Sequence, residues 1–174
     1  MRKSAVLLLA SLLVGGIVVG GQASLATGKG SPKIMKFDTM VGIPRPYTDA
    51  TNAIRGVLGG GLPWVVDSAK GELRVDGRIK VEVEGLVIDP ADPAAIAAGL
   101  AGTNPAPSFR AIVSCLSKDA AGNATTANVQ TGLFPADTAG NSEIEDSVSL
   151  PDPCIAPIVF VTSPTGAWFA ATGI

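Results

Sequence analysis

The chain has 174 residues, of which 13 are basic and 15 acidic, giving a net charge of −2; 47% are hydrophobic, two are cysteine and none is histidine. Scattered charge with a slight acidic excess excludes the basic patch that a nucleic-acid partner would need and offers no electrostatic hold on anionic lipid. The lack of histidine removes Ser-His-Asp and Cys-His nucleophile activation, imidazole proton transfer and the commonest zinc ligand.

The chain opens with Met1-Arg2-Lys3, an apolar run from Ala5 to Val19, and Gly21-Gln22-Ala23 before Ser24. A short basic region, an apolar region and small residues at the end form the pattern of a secretory signal peptide over residues 1–23. The alternative is an uncleaved anchor over residues 5–21. That run is at the short end of the roughly 17–25 residues a membrane helix needs, and Gly15, Gly16, Gly20 and Gly21 weaken it. No cysteine follows it for a lipoprotein-type modification. Cleavage would leave 151 residues, enough for one domain with a sizeable core. Loss of Arg2 and Lys3 would leave 11 basic against 15 acidic residues, a charge of −4. The expected location is secreted, extracellular or periplasmic. Two cysteines in such a compartment pair, and a Cys115–Cys154 bridge would stabilise the fold by about 3–4 kcal/mol in the chain-entropy model.

Residues 24–33 read as a flexible leader and residues 34–174 as a single domain. Ile34–Val41 is expected as a first strand. Pro44 and Pro46 then exclude a central strand, and residues 48–61 form a long connection ending in Gly59-Gly60-Gly61. Leu62–Asp67 returns to the core. Around Asp76-Gly77, apolar and charged residues alternate, which predicts a hairpin with a two-residue turn. Leu73, Val75, Ile79, Val81 and Val83 should face the core; Arg74, Arg78, Lys80, Glu82 and Glu84 should face water. Asp92, Pro93 and Gly102 supply a cap, a first position and a stop for one or two helical turns.

Phe109–Ser117, with Cys115, reads as the central strand, paired covalently with the apolar run that Cys154 opens, Cys154–Val161. Asp119-Ala-Ala-Gly-Asn123 and Asp137-Thr-Ala-Gly-Asn141 are two turns of one local chemistry. Strands around Thr125–Thr131, Glu143–Leu150, Ile155–Thr162 and Ala167–Thr172 complete the pattern. Eight or nine short strands with almost no helix predict an all-β fold, an antiparallel β-sandwich of immunoglobulin-like architecture, with a β-barrel as the alternative. Cys115 shares a face with Phe109, Ala111 and Val113, so the disulfide is expected to join the two sheets.

Few constellations carry chemistry. Glu82 with Glu84, and Glu143 with Glu145 beside Asp146, have a spacing that could serve a glycoside hydrolase, though the wet face of any amphipathic strand has it too. The Asp/Gly/Asn turns lack calcium-loop spacing. Gly28–Ser31 and Gly59–Gly61 lack the context of a phosphate loop. Tyr47, Trp64 and Trp168 could form a sugar-binding platform, or pack in the core among apolar neighbours. No catalytic residue, metal site or cofactor is expected.

The blocks Phe109–Ser117 and Leu150–Phe169 resemble those of uncharacterised exported bacterial proteins, over about half of the chain after the leader; no activity comes with that resemblance. Gly71-Glu-Leu-Arg-Val-Asp-Gly77 with Val83-Glu-Gly-Leu86 is loosely similar to strands of chordin-type (CHRD) domains, whose usual histidines are missing here. The leading expectation is therefore a secreted or cell-envelope structural or binding module whose partner is a cell-envelope glycan or another protein. Its working surface is expected on the loops 42–63 and 89–108. The alternatives are a carboxylate-dependent glycan hydrolase and a secreted protein-binding inhibitor or adhesin.

Overall fold

Alternating apolar and charged residues fold into antiparallel strands in a computed structural model of the chain, which describes residues 30–49 and 52–172. The signal peptide or anchor expected over residues 1–23, and the leader as far as residue 29, lie outside the described residues. The strands are β1 (Lys33–Phe37), β2 (Met40–Gly42), β3 (Trp64–Val65), β4 (Ser68–Arg74), β5 (Arg78–Glu84) and β6 (Val87–Ile88). After the short helix α1 (Pro93–Ala97) come β7 (Ser108–Lys118), β8 (Ala124–Gln130), β9 (Phe134–Pro135), β10 (Ser142–Ser147), β11 (Ile155–Thr162) and β12 (Trp168–Thr172).

The first sheet runs β1-β4-β5-β10, the second runs β2-β12-β11-β7-β8, and β3 and β6 form a two-stranded ribbon. The fold is an all-β sandwich; among the described residues no sheet closes on itself, which sets the barrel alternative aside. Leu73, Ile79, Val81, Val83 and Ile144 of the first sheet join Phe109, Ala111, Val113, Val159 and Val161 of the second in one buried cluster. The other face of the first sheet is wet. There Lys70, Lys80, Glu82 and Glu143 form a ladder of ion pairs, as one-sided burial of an antiparallel sheet requires.

Several expectations change in detail. The predicted first strand is two strands in different sheets, because the chain crosses the sandwich edge at Asp38-Thr39. Ordered structure begins earlier than Ile34: Val75 N–H donates to the Pro32 carbonyl (2.9 Å) and Arg74 Nη1 to the Ser31 carbonyl (2.8 Å). The hairpin turn has three residues, Val75, Asp76 and Gly77, since Leu73 pairs with Ile79. Gly77 takes the left-handed position (φ 83°), the geometry of a type I turn followed by a bulge. Val75 is thereby lifted out of the core and half exposed. Asp92 caps α1, its carboxylate accepting the Ala95 N–H at 3.0 Å. The helix ends at Gly99 rather than Gly102: Gly99 N–H bonds the Ile96 carbonyl and Leu100 N–H bonds the Ala95 carbonyl, a Schellman closure.

Cys115 and Cys154 are bonded, but within one sheet. Cys154 directly precedes Ile155, which pairs with Leu116 across the β7–β11 ladder. The bridge therefore fastens two neighbouring strands of the second sheet and does not join the two sheets.

Strand β7 is buried on both faces, with Ile112 and Ser114 covered on the side away from the sandwich interior. The cover is the segment that precedes β3. Ile54 and Val57 exchange backbone hydrogen bonds (3.1 and 2.9 Å) around Arg55 (φ 50°) and Gly56 (φ 80°), the backbone of a type I′ turn. Arg55 Nη1 donates to the carbonyls of Ser114 (3.0 Å) and Ala156 (2.8 Å), and Asn128 Nδ2 donates to the Arg55 carbonyl (2.9 Å). One turn thus clasps β11, β7 and β8. The glycine run continues the cover: Trp168 N–H donates to the Leu58 carbonyl and Gly60 N–H to the Trp168 carbonyl. Gly59 lies so close to the Tyr47 carbonyl that no side chain could be added there.

Candidate functional site

The two long loops meet. Arg45, in the first, donates through Nε to Asp92 Oδ2 (3.0 Å) and through Nη2 to Oδ1 (3.3 Å). Asp92 is buried while Arg45 remains half exposed. Arg45, and then the Ala95 N–H, hold the Asp92 carboxyl below its ordinary range, so it is an anion that both caps the helix and ties the loops together. A charge-assisted, two-pronged contact of this kind fixes orientation as well as distance.

Arg45 and Asp92 line a groove of about 610 Å³ together with Met40, Val41, Pro44, Pro63, Trp64 and Asp89. A second cleft of about 310 Å³, lined by Tyr47, Ile54, Trp168 and Ala171, shares Val41 and Pro44 with it. Val41 and Tyr47 are exposed. The first groove combines apolar and proline residues with the charged Arg45, Asp89 and Asp92, and the second combines apolar residues with Tyr47 and Thr172.

The three aromatics expected as a platform are divided between these clefts. Tyr47 and Trp168 approach on the outer face of the second sheet, their ring centroids 6.5 Å apart and tilted, and Phe160 lies 5.9 Å from the same indole. Trp64 stacks on Phe169 at 3.8 Å, and Phe169 meets Phe109 edge-on. Trp64 and Trp168 are 5% and 3% exposed, so neither indole offers an open face to a sugar ring; only Tyr47 does. The sequence marks Pro44 as a strand breaker, Asp92 as a helix cap and the two loops as the working surface, but not the pairing of Arg45 with Asp92. The proline spacing marked the loop, but no local signal pairs residues 47 positions apart.

The paired carboxylates line a different groove. Glu82 and Glu143 are register partners on the wet face of the first sheet. Lys80 Nζ stands between them, 3.3 Å from Glu82 and 2.6 Å from Glu143, and Lys70 Nζ lies 2.8 Å from Glu82. Lys70 and Lys80 hold the Glu82 carboxyl below its ordinary range, the reverse of what a general acid in glycoside hydrolysis needs. Glu82, Glu84 and Glu143 line an open groove of about 740 Å³ with Asp67 and Asn141. Among the described residues no group of three acidic, histidine or cysteine side chains is placed to hold a metal ion. The Asp119 and Asp137 carboxylates are occupied by N–H donors of their own turns. No described helix is long and apolar enough to cross a membrane. Comparison of the chain with protein-family models, with curated proteins and with solved structures finds no match.

Proposed function

We propose that this protein is an exported, disulfide-stabilised binding module that holds an extended apolar segment of another protein in the groove between its two long loops. The observation that carries this reading is the Arg45–Asp92 clamp in the lining of the groove. It holds two loops in one relative position, and a preformed concave surface binds without the cost of ordering itself. An extended segment suits this mixed lining: Val41, Pro44 and Pro63 would take side chains such as Leu, Met or Pro, while Arg45 and Asp89 would meet the backbone amides between them. Export is supported by the basic-then-apolar beginning of the chain and by the disulfide, which belongs to an oxidising compartment.

Selection of a displayed random-peptide library on the full exported protein tests the binding reading. Enriched peptides should carry apolar residues and should lose binding to Val41→Arg while keeping it to Lys70→Glu, which alters the charged face of the first sheet. Enrichment that Val41→Arg leaves intact, or binding confined to a glycan array, overturns it. Intact mass with and without reductant tests export: the expected species starts near Ser24, is lighter than the reduced chain by two hydrogens, and is free of the membrane fraction.

A further inference from the structure

The sandwich has four sheet edges, and three are guarded in recognisable ways. An open edge presents unpaired N–H and C=O groups to any other strand, so edges are usually blunted by charge, bulges or shortness. Strand β1 carries Lys33, Lys36 and a bulge between Lys33 and Met35. Strand β10 carries Glu143, Glu145 and Asp146. Strand β2 is three residues long and its line is continued by Trp64 N–H donating to the Ile43 carbonyl. The fourth edge, β8, has none of these. Ala124-Thr-Thr-Ala-Asn-Val-Gln130 is seven residues without charge, proline or bulge, mostly exposed, and among the described residues paired on one side only, with β7.

The direction of its free groups follows from the ladder. Asp119 N–H bonds the Asn123 carbonyl and Thr131 N–H bonds the Ala111 carbonyl. Antiparallel pairs alternate between hydrogen-bonded and non-bonded. Thr125, Ala127 and Val129 therefore bond to β7, whereas Ala124, Thr126, Asn128 and Gln130 aim their backbone groups outward. Four consecutive outward positions form an unsatisfied template.

We infer that β8 is a self-association edge, and that two copies of this chain pair β8 to β8 antiparallel about a two-fold axis at Ala127. In that register Thr126 faces the second copy's Asn128 and Ala124 faces its Gln130, so outward groups meet outward groups and no like charges oppose. Lys118, beside Ala124 on β7, is held at opposite ends in the two copies. The pairing closes on itself, as a two-fold interface does. Because β2 and β8 are opposite edges of one sheet, the dimer would carry its two grooves at its outer ends and engage two segments at once. The inference does not depend on what those grooves bind.

The test uses the full exported protein, by light scattering over a concentration series and hydrogen exchange of single amides. The expected mass is twice that of one chain at high concentration. The Asn128 and Gln130 amides should exchange about tenfold more slowly there than in a single-chain variant. Thr126→Lys and Thr126→Pro should each restore the single-chain mass. The proline removes only an outward N–H, so it leaves the β7 ladder intact, and an unchanged far-UV circular dichroism spectrum shows that the variant folds. A single-chain mass at all concentrations, a dimer that survives Thr126→Lys, or an assembly larger than two would each overturn the inference.

Discussion

Gly122 and Gly140 occupy the same place in twin turns, at φ 85° and 80°, yet one stands in open space and the other against the backbone of Leu86. Each turn is closed by the same bonds. The aspartate carboxylate accepts the backbone and side-chain N–H groups of the asparagine four residues on. The first turn caps the β7–β8 hairpin in solvent. The second is docked, through Asn104 N–H to the Thr138 carbonyl and Leu86 N–H to the Gly140 carbonyl. Gly122→Ala should cost about 1–2 kcal/mol, the penalty of a left-handed residue. Gly140→Ala should cost clearly more, because its Cβ would also displace Leu86. Urea unfolding of the two variants side by side measures the difference; equal losses would mean that the second turn is not docked.

The disulfide closes a loop with a sequence separation of 39. Cys115→Ala/Cys154→Ala should lower stability by about 3–4 kcal/mol without changing the strand content seen by far-UV circular dichroism. The midpoint of the wild-type protein should fall on adding reductant, and that of the double variant should not.

Acid should loosen the loop clamp. The folded Asp92 carboxyl titrates below its ordinary range, first through Arg45 and then through the Ala95 N–H. A depressed carboxyl contributes stability above its unfolded value, about 3.9, and loses it as pH falls through the folded value. Arg45→Ala should therefore be less stable than wild type at pH 7, with the gap between them narrowing below about pH 4. Thermal unfolding of both proteins between pH 7 and pH 3 gives the result; a constant gap would show that the pair contributes nothing through charge.

Phe160 and Tyr47 both approach the Trp168 indole, at very different depths. Phe160 is fully buried and Tyr47 is 41% exposed. Phe160→Ala should cost about 3–5 kcal/mol and red-shift tryptophan emission as water reaches Trp168. Tyr47→Ala should change stability by less than about 0.5 kcal/mol and act on binding instead. Equal destabilisation by both would contradict the layered packing of this face.

Most of the sandwich was legible from side-chain alternation, because one-sided burial imposes a period of two on every strand it shapes. Leu73, Ile79, Val81 and Val83 lie inside as that period requires. Val75 does not, because one extra residue in the turn shifts it out of phase. The groove was legible only as two proline- and glycine-marked loops. Its walls come from Val41, Trp64 and Asp92, which no short-range pattern connects.

The sequence by itself determined the all-β class, the cap at Asp92, the turn chemistry at Asp119 and Asp137 and the pairing of its only two cysteines. Each of these depends on a residue and its near neighbours, or on there being a single possible partner. Tertiary structure alone decided that the disulfide lies within a sheet, that only one of two matching turns is docked, and that Trp64 and Trp168 occupy different clefts. It also left β8 as the unguarded edge. These outcomes follow from which strand hydrogen-bonds to which, a choice made by packing between residues far apart in the chain.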